Sequence, residues 1–311
     1  TDVDDVLSYA WEQTDNGIVT QATFGPTSPT GAMFRSLPPD ILPFRYFPNL
    51  ERILSTDLTQ TTPGLNEAWE TLSLVERELN FALTVRDNAL NGGQLISDEV
   101  SVFVTNNAGP FVVTSQDTFV TYVAGEVQTL SWDEADTHLA PISAETVAIF
   151  LSTDGGQTFP TVVAENIPNN GIHSFVIPGL PTANGRFMVK ASENIFFAVN
   201  AADFSITPSE VVLNFAQLDY EICQPQDLVV DFTYETYLGF MEESTFNVLG
   251  LPTGLTAVFS DTTAVVGDTS VNITFSGTGS LAVGTYPVQI VSTSVSVTKE
   301  ITLNLTIYDA D

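Results

Sequence analysis

Two groups of oxygen-bearing side chains in this sequence could hold a hard cation. The first is Asp2, Asp4 and Asp5, three carboxylates within four positions. They repel one another unless they are solvated or share a cation. The second is Asp87, Asn88 and Asp98, which flank the turn-rich run DNALNGGQLISD. Ca²⁺ takes six to eight oxygens from carboxylates, amides and carbonyls, usually gathered on loops. If the first and last strands of this part of the chain meet, both groups reach the same end of one module. The competing reading is a solvated turn, with Asp and Asn chosen for their local backbone hydrogen bonds.

A third constellation is STDGGQTF, Ser152 to Phe159, which fits the Asp-box pattern through Ser152, Asp154, Gly156, Thr158 and Phe159. In that pattern Asp and Thr brace a hairpin turn and the aromatic is expected to plug the core beneath. It specifies a turn and carries no activity of its own.

Catalytic chemistry has little to stand on. The two histidines, His138 and His173, lie in different contexts, and neither an HExxH zinc pair nor a GxSxG nucleophile elbow is present. Carboxylate pairs are so numerous that no chosen pair is informative. Among aromatics that could stack on sugars, Tyr234 and Tyr237 are three apart and point to opposite faces of a regular strand. Trp132 stands two residues after Leu130, on the same face of a strand, and is expected in a core. Cys223, the single cysteine, excludes an internal disulfide and is expected as a small buried apolar residue.

The elements that position these groups are strands. Helical periodicity is nearly absent; the candidates are NLERILST, with Asn49 as N-cap, and LNEAWETL around Trp69. Elsewhere short β-branched and aromatic runs alternate with Gly, Pro, Asn and Asp, the pattern of all-β sandwiches. Length, at 311 residues, suits two or three domains. Three tandem sandwiches of immunoglobulin-like or fibronectin-III-like type are predicted, over 1–108, 109–207 and 208–311. The first has strands at Leu7–Glu12, Leu79–Arg86 and Glu99–Thr105. Between them runs a long irregular stretch whose aromatics (Phe34, Phe44, Tyr46, Phe47) should pack it down as an ordered insertion. The third shows seven strands, the immunoglobulin-like count.

Charge narrows the partners. The net charge is −30, from 38 acidic against 8 basic residues. It is spread as 15 acidic against 5 basic, 10 against 2 and 13 against 1 over the three segments. Such a surface repels nucleic acid and anionic lipid, since phosphate binding needs Lys and Arg to displace counterions. It fits a saline exterior, and calcium sites are compatible with it. No apolar run approaches the roughly 18 residues of a membrane helix.

The stretches TDVDDVLSYAWEQTDNG, FRYFPNLERIL, WETL, LNFALTVRDNALNGGQLISDEVSVFV and GPFVVTSQ resemble the region downstream of the catalytic domain in secreted reprolysin-like zinc metallopeptidases of Bacteroidetes-type bacteria. FRYFPNL and VRDNA-x-x-GGQ are the specific part. The opening resembles the family's TDADGDALTYxWEQ with one residue fewer, which shifts the carboxylates relative to a calcium-binding entry of cadherin or PKD type. The second segment resembles a fibronectin-III-like module through LSTDGGQTFPTVVAENIPNNG, and the third an immunoglobulin-like module through LPTGLTAVFS and GTYPVQIVS. The resemblance implies a non-catalytic, extracellular accessory region. Its first sandwich would begin upstream of Thr1, and the zinc ligands of its parent would lie outside this chain. The expected partner is an extracellular protein substrate or surface polymer. An adhesion or carbohydrate-binding protein in its own right is the alternative.

Overall fold

The computed structural model describes residues 5–89, 92–265, 267 and 269–309. The chain is all-β and of the β-sandwich class, and its contacts divide it once, after Gly109. Asp2 and Asp4 lie outside the described residues.

The unit ending at Gly109 is built on one antiparallel sheet in the order β1 (Ser8–Gln13), β2 (Arg77–Arg86), β3 (Leu95–Val104). Between β1 and β2 the insertion is ordered, with a short helix α1 (Leu50–Leu54). Asn49 caps that helix as expected, its side chain accepting from the Arg52 amide. The run around Trp69 is not helical: Trp69 has φ +56° and its indole N–H donates to Gly64 O at 2.8 Å. Phe34 and Met33 enter a small core with Leu79 and Phe81 from the sheet, and Phe47 packs against it. The Phe47 ring centroid is 4.6 Å from that of Phe81 and 5.0 Å from that of Phe34. Phe44 stays exposed, edge-on to Tyr46, so this part of the expected packing fails.

The unit from Pro110 onward contains two sandwiches. The first has β4 (Val112–Val113), β5 (Val120–Val123), β6 (Val127–Asp133), β7 (Thr146–Ser152), β8 (Thr161–Pro168), β9 (Ile172–Val176), β10 (Thr182–Ala191), β11 (Phe197–Val199) and β12 (Phe204–Thr207). One sheet runs β5-β12-β10-β7-β8, with β11 also on β10, and it faces the sheet β4-β6-β9. Trp132 is buried here as expected, its indole N–H donating to Asn169 Oδ1 at 2.9 Å.

The second sandwich has β13 (Val211–Phe215), β14 (Asp219–Cys223), β15 (Leu228–Thr236), β16 (Ser244–Leu249), β17 (Thr256–Phe259), β18 (Thr263–Ala264), β19 (Thr269–Ser276), β20 (Gly284–Thr293) and β21 (Thr298–Tyr308). Its sheets run β13-β15-β19-β17 and β14-β21-β20-β16-β18. Strand alternation explains the error at Cys223. Tyr220 and Ile222 of β14 point inward, which turns Asp219, Glu221 and Cys223 outward, and Cys223 is exposed.

The two sandwiches of this unit share one continuous hydrophobic core, and Val212 of β13 lies against Gly125 of the first sandwich. At Gly179 a side chain would meet the Tyr237 ring at 2.2 Å, so any larger residue there must displace that ring from the junction.

Candidate functional site

The expected cation ligands among the described residues fall in two places. β1 and β2 pair antiparallel with Ser8 opposite Arg86, which carries the start of β1 to the end of β2. Asn88 closes that corner: its Nδ2 donates to Val6 O at 2.7 Å and to Ser8 Oγ at 3.0 Å. Asp87 turns inward on its own loop, with Oδ1 accepting from the amides of Ala89 (3.2 Å) and Gln94 (2.9 Å). Asp5 therefore shares an end of the sheet with Asp87 and Asn88, through β1–β2 pairing rather than contact of first and last strands.

Asp98 is elsewhere. It sits mid-strand opposite Leu83, four residues beyond Gln94 and so about 13 Å along β3. Its Oδ1 accepts from the Glu99 amide at 2.9 Å. The structure does not bring Asp98 together with Asp87 and Asn88. Among the described residues no cluster of three or more His, Cys, Asp or Glu is arranged to hold a metal ion. The four-residue offset of Asp98 along β3 is invisible without the register, which is why the sequence joins these three residues.

The Asp-box behaves as a brace. Ser152 is fully buried and its hydroxyl donates to Asp154 Oδ1 at 2.6 Å while accepting from the Gly156 amide at 2.8 Å. The Thr158 amide and hydroxyl donate to the two oxygens of Asp154 at 3.0 and 2.7 Å. Partial desolvation pushes the Asp154 carboxyl upward, but the hydrogen bonds from Ser152, Thr158 and Gln157 outweigh it and hold the carboxyl below its usual range. Phe159, expected to plug the core, is only half-buried and lies outside the core cluster. The β7–β8 register places the loop's exit at Thr161, and the core is filled from the strands instead.

The two histidines have different settings, His138 at a turn and His173 on β9. His138 Nδ1 lies 2.6 Å from Glu134 Oε2 across a turn, next to Thr137, whose hydroxyl accepts from Asn169 Nδ2 at 3.0 Å. His173 stacks on Phe175 with its Nε2 buried and unpartnered. Burial pushes its pKa down, opposed in part by the negative charge of Asp219. Tyr234 is buried with its hydroxyl 2.8 Å from Ser244 Oγ, and Tyr237 donates to Glu235 at 2.7 Å, so neither offers a sugar-stacking platform.

Two features were missed in the sequence. One is a groove of about 960 Å³ where the sandwiches of the second unit meet. Its walls include Glu126, Gln128, Ser174, Asp219, Lys299 and Asn304. Hydroxyl, amide and carboxylate groups dominate, and they come from strands far apart in sequence. The other is a buried ion pair in the first unit. Glu70 is fully buried; its Oε1 lies 2.6 Å from Arg45 Nη2, and its Oε2 accepts from the Asn49 amide at 2.6 Å. Arg45 also donates to Trp11 O (2.9 Å) and Arg35 O (2.8 Å). With so few bases in the chain, an arginine inside a long loop was itself the signal.

No family model and no curated protein matches the chain. Solved structures that resemble it include domains 4 and 5 of the S-layer protein SbsC, at 15% identity and TM-score 0.25 over 54% of this chain and 80% of that one. An endo-fucoidan hydrolase of glycoside hydrolase family 107 aligns at 12% identity and TM-score 0.25, over 78% of this chain and 35% of its own. A protein of unknown function from Porphyromonas gingivalis W83 aligns at 12% identity and TM-score 0.24, over 64% of this chain and 100% of its own. At such scores no property passes from these proteins to this chain.

Proposed function

We propose that this chain is a non-catalytic, extracellular accessory region of a secreted zinc metallopeptidase, acting as a spacer or binding module for substrate or surface. The observation that carries the reading is where the most specific stretches of the resemblance fall. FRYFPNL supplies Arg45, Phe47 and Asn49, the ion-pair, core and cap residues that lock the insertion onto the sheet. VRDNA-x-x-GGQ supplies Asp87 and Gln94, which close the β2–β3 loop, and Asn88, which ties that loop to the start of β1. These residues build a particular scaffold, so their likeness speaks for shared architecture and leaves catalysis to another domain. The test is the coding region around this chain. An HExxH-type domain in the same reading frame is expected, and its absence overturns the reading.

The polar groove favours a second reading, binding of a glycan-like surface polymer. A glycan array with the full chain, repeated with Asp219→Ala, tests it. Binding that the substitution leaves unchanged rules the groove out.

A further inference from the structure

The two edges of the first sheet are treated differently. Thr14 N–H donates to Asn80 O and Asp87 N–H donates to Gln94 O, which mark hydrogen-bonded pairs in the two ladders. Because such pairs alternate, even-numbered residues of β1 and β3 bond to β2 and odd-numbered ones turn their backbone groups outward. The outer edge of β1 is covered: Tyr9 exchanges both backbone bonds with Asp40, and Trp11 O accepts from Arg45. Along β3 the outward groups belong to Leu95, Ser97, Glu99, Ser101 and Phe103. Among the described residues no strand pairs with this edge. Ile96 and Val100 beside it are 70% and 45% exposed. A bare ten-residue edge is a template for another strand unless something blocks it. Among the described residues the one internal partner is Asp98, whose carboxylate accepts from the outward Glu99 amide.

We propose that β3 is a docking edge for an extended basic segment of another protein, in which Lys or Arg stands two residues from an apolar side chain on either side. A strand added to β3 must take the Glu99 amide from Asp98. A cation opposite Asp98 draws that carboxylate aside and neutralises it, while residues opposite Ile96 and Val100 share their face and bury them. A second copy of this chain does not fit. Antiparallel pairing of two β3 edges brings both Asp98 and both Glu99 within about three residue positions, in a unit with 15 acidic and 5 basic residues. The geometry holds whether or not a peptidase domain shares the polypeptide.

The probe is a labelled, end-blocked heptapeptide Thr-Val-Thr-Lys-Thr-Val-Thr, titrated with the full chain at low salt and followed by fluorescence anisotropy. Saturable binding is expected, at least tenfold weaker when Glu replaces the Lys. Ser101→Pro removes one outward amide and leaves the backbone ladder to β2 in place; both it and Ser101→Ala lose the Ser101 hydroxyl bond to Asn80 Oδ1 (2.6 Å), so only the proline variant should weaken binding at least tenfold. Asp98→Lys keeps the edge and should reverse the preference toward the Glu peptide, so the proposal stays testable if the proline variant misfolds. No saturable binding, equal binding of the two peptides, or a Ser101→Pro protein that folds and binds unchanged overturns it. So does a concentration-dependent dimer of the chain that Ser101→Pro abolishes.

Discussion

Glu70→Ala should unfold the first unit far more readily than any surface change. The substitution leaves the Arg45 guanidinium, about nine-tenths buried, without its counter-charge, and strips the Asn49 amide of its acceptor just where α1 begins. Breaking a buried pair from one side costs about 3–5 kcal/mol. Arg45 keeps two backbone carbonyls, so the lower end, about 3 kcal/mol, is expected. For a unit of this size that lowers the melting temperature by more than about 10 °C. Trp11 and Trp69 lie in this unit and Trp132 in the other, so urea denaturation followed by tryptophan fluorescence and by far-UV circular dichroism separates their transitions. The double replacement Arg45→Met with Glu70→Leu should recover most of the loss, because a packed apolar pair needs no desolvation of charge. A midpoint for Glu70→Ala matching that of the exposed control Glu76→Gln would refute the argument. So would a double variant less stable than Glu70→Ala alone.

Asp154→Ala should cost about 1 kcal/mol through the lost bracing of the β7–β8 turn, read from the urea midpoint of the second unit. Its carboxyl titrates below the usual range, so that bracing is present above the unfolded aspartate pKa and is lost as pH falls through the folded value; Asp154→Ala should accordingly show a flatter acid limb. His173 has the reverse linkage. Its folded pKa is lowered, so the unfolded chain binds the proton first, and stability should fall as pH drops below about 6.5. His173→Phe, which keeps the ring on Phe175, should remove that slope; an unchanged profile would place the titration elsewhere. Cys223 should react fully with a thiol reagent in the native protein, and a thiol released only by denaturant would contradict its outward position on β14.

The strands were legible because side-chain alternation is written in the sequence: β7, β10, β15 and β21 all fall on runs with inward Val, Ile, Leu and Phe. The long strand β8 is hard to read from sequence because Glu165 and Asn166 interrupt its pattern at an irregular register with β7. β14 is hard to read because its two inward residues, Tyr220 and Ile222, are too few to show a period. The helix reading around Trp69 failed because tertiary contacts overrode local pattern, with Gln60 Oε1 taking the Trp69 and Glu70 amides. Sequence distance alone places Asp98 with the loop residues Asp87 and Asn88. Only the ten-pair register of β2 with β3 shows it guarding an edge.

The scarcity of cations gains a physical sense in the first unit. A single three-stranded sheet with a small core must hold an insertion of some sixty residues, and no disulfide is available to tie it. Arginine can do so because one guanidinium presents five donors in a rigid fork. Arg77, 7% exposed, donates to Ser28 O and Gly31 O at 2.9 and 2.8 Å from the sheet into the insertion. Arg52 binds Thr59 O and Asp57, and Arg45 joins Trp11 O, Arg35 O and Glu70. Each satisfies carbonyls that a structureless loop would otherwise leave to water. Lysine, with a point charge on a flexible stem, orders its acceptors less well, and this unit contains none. The surface is consequently left to the carboxylates. That makes an edge guarded by Asp98 repel its own kind and admit a basic strand.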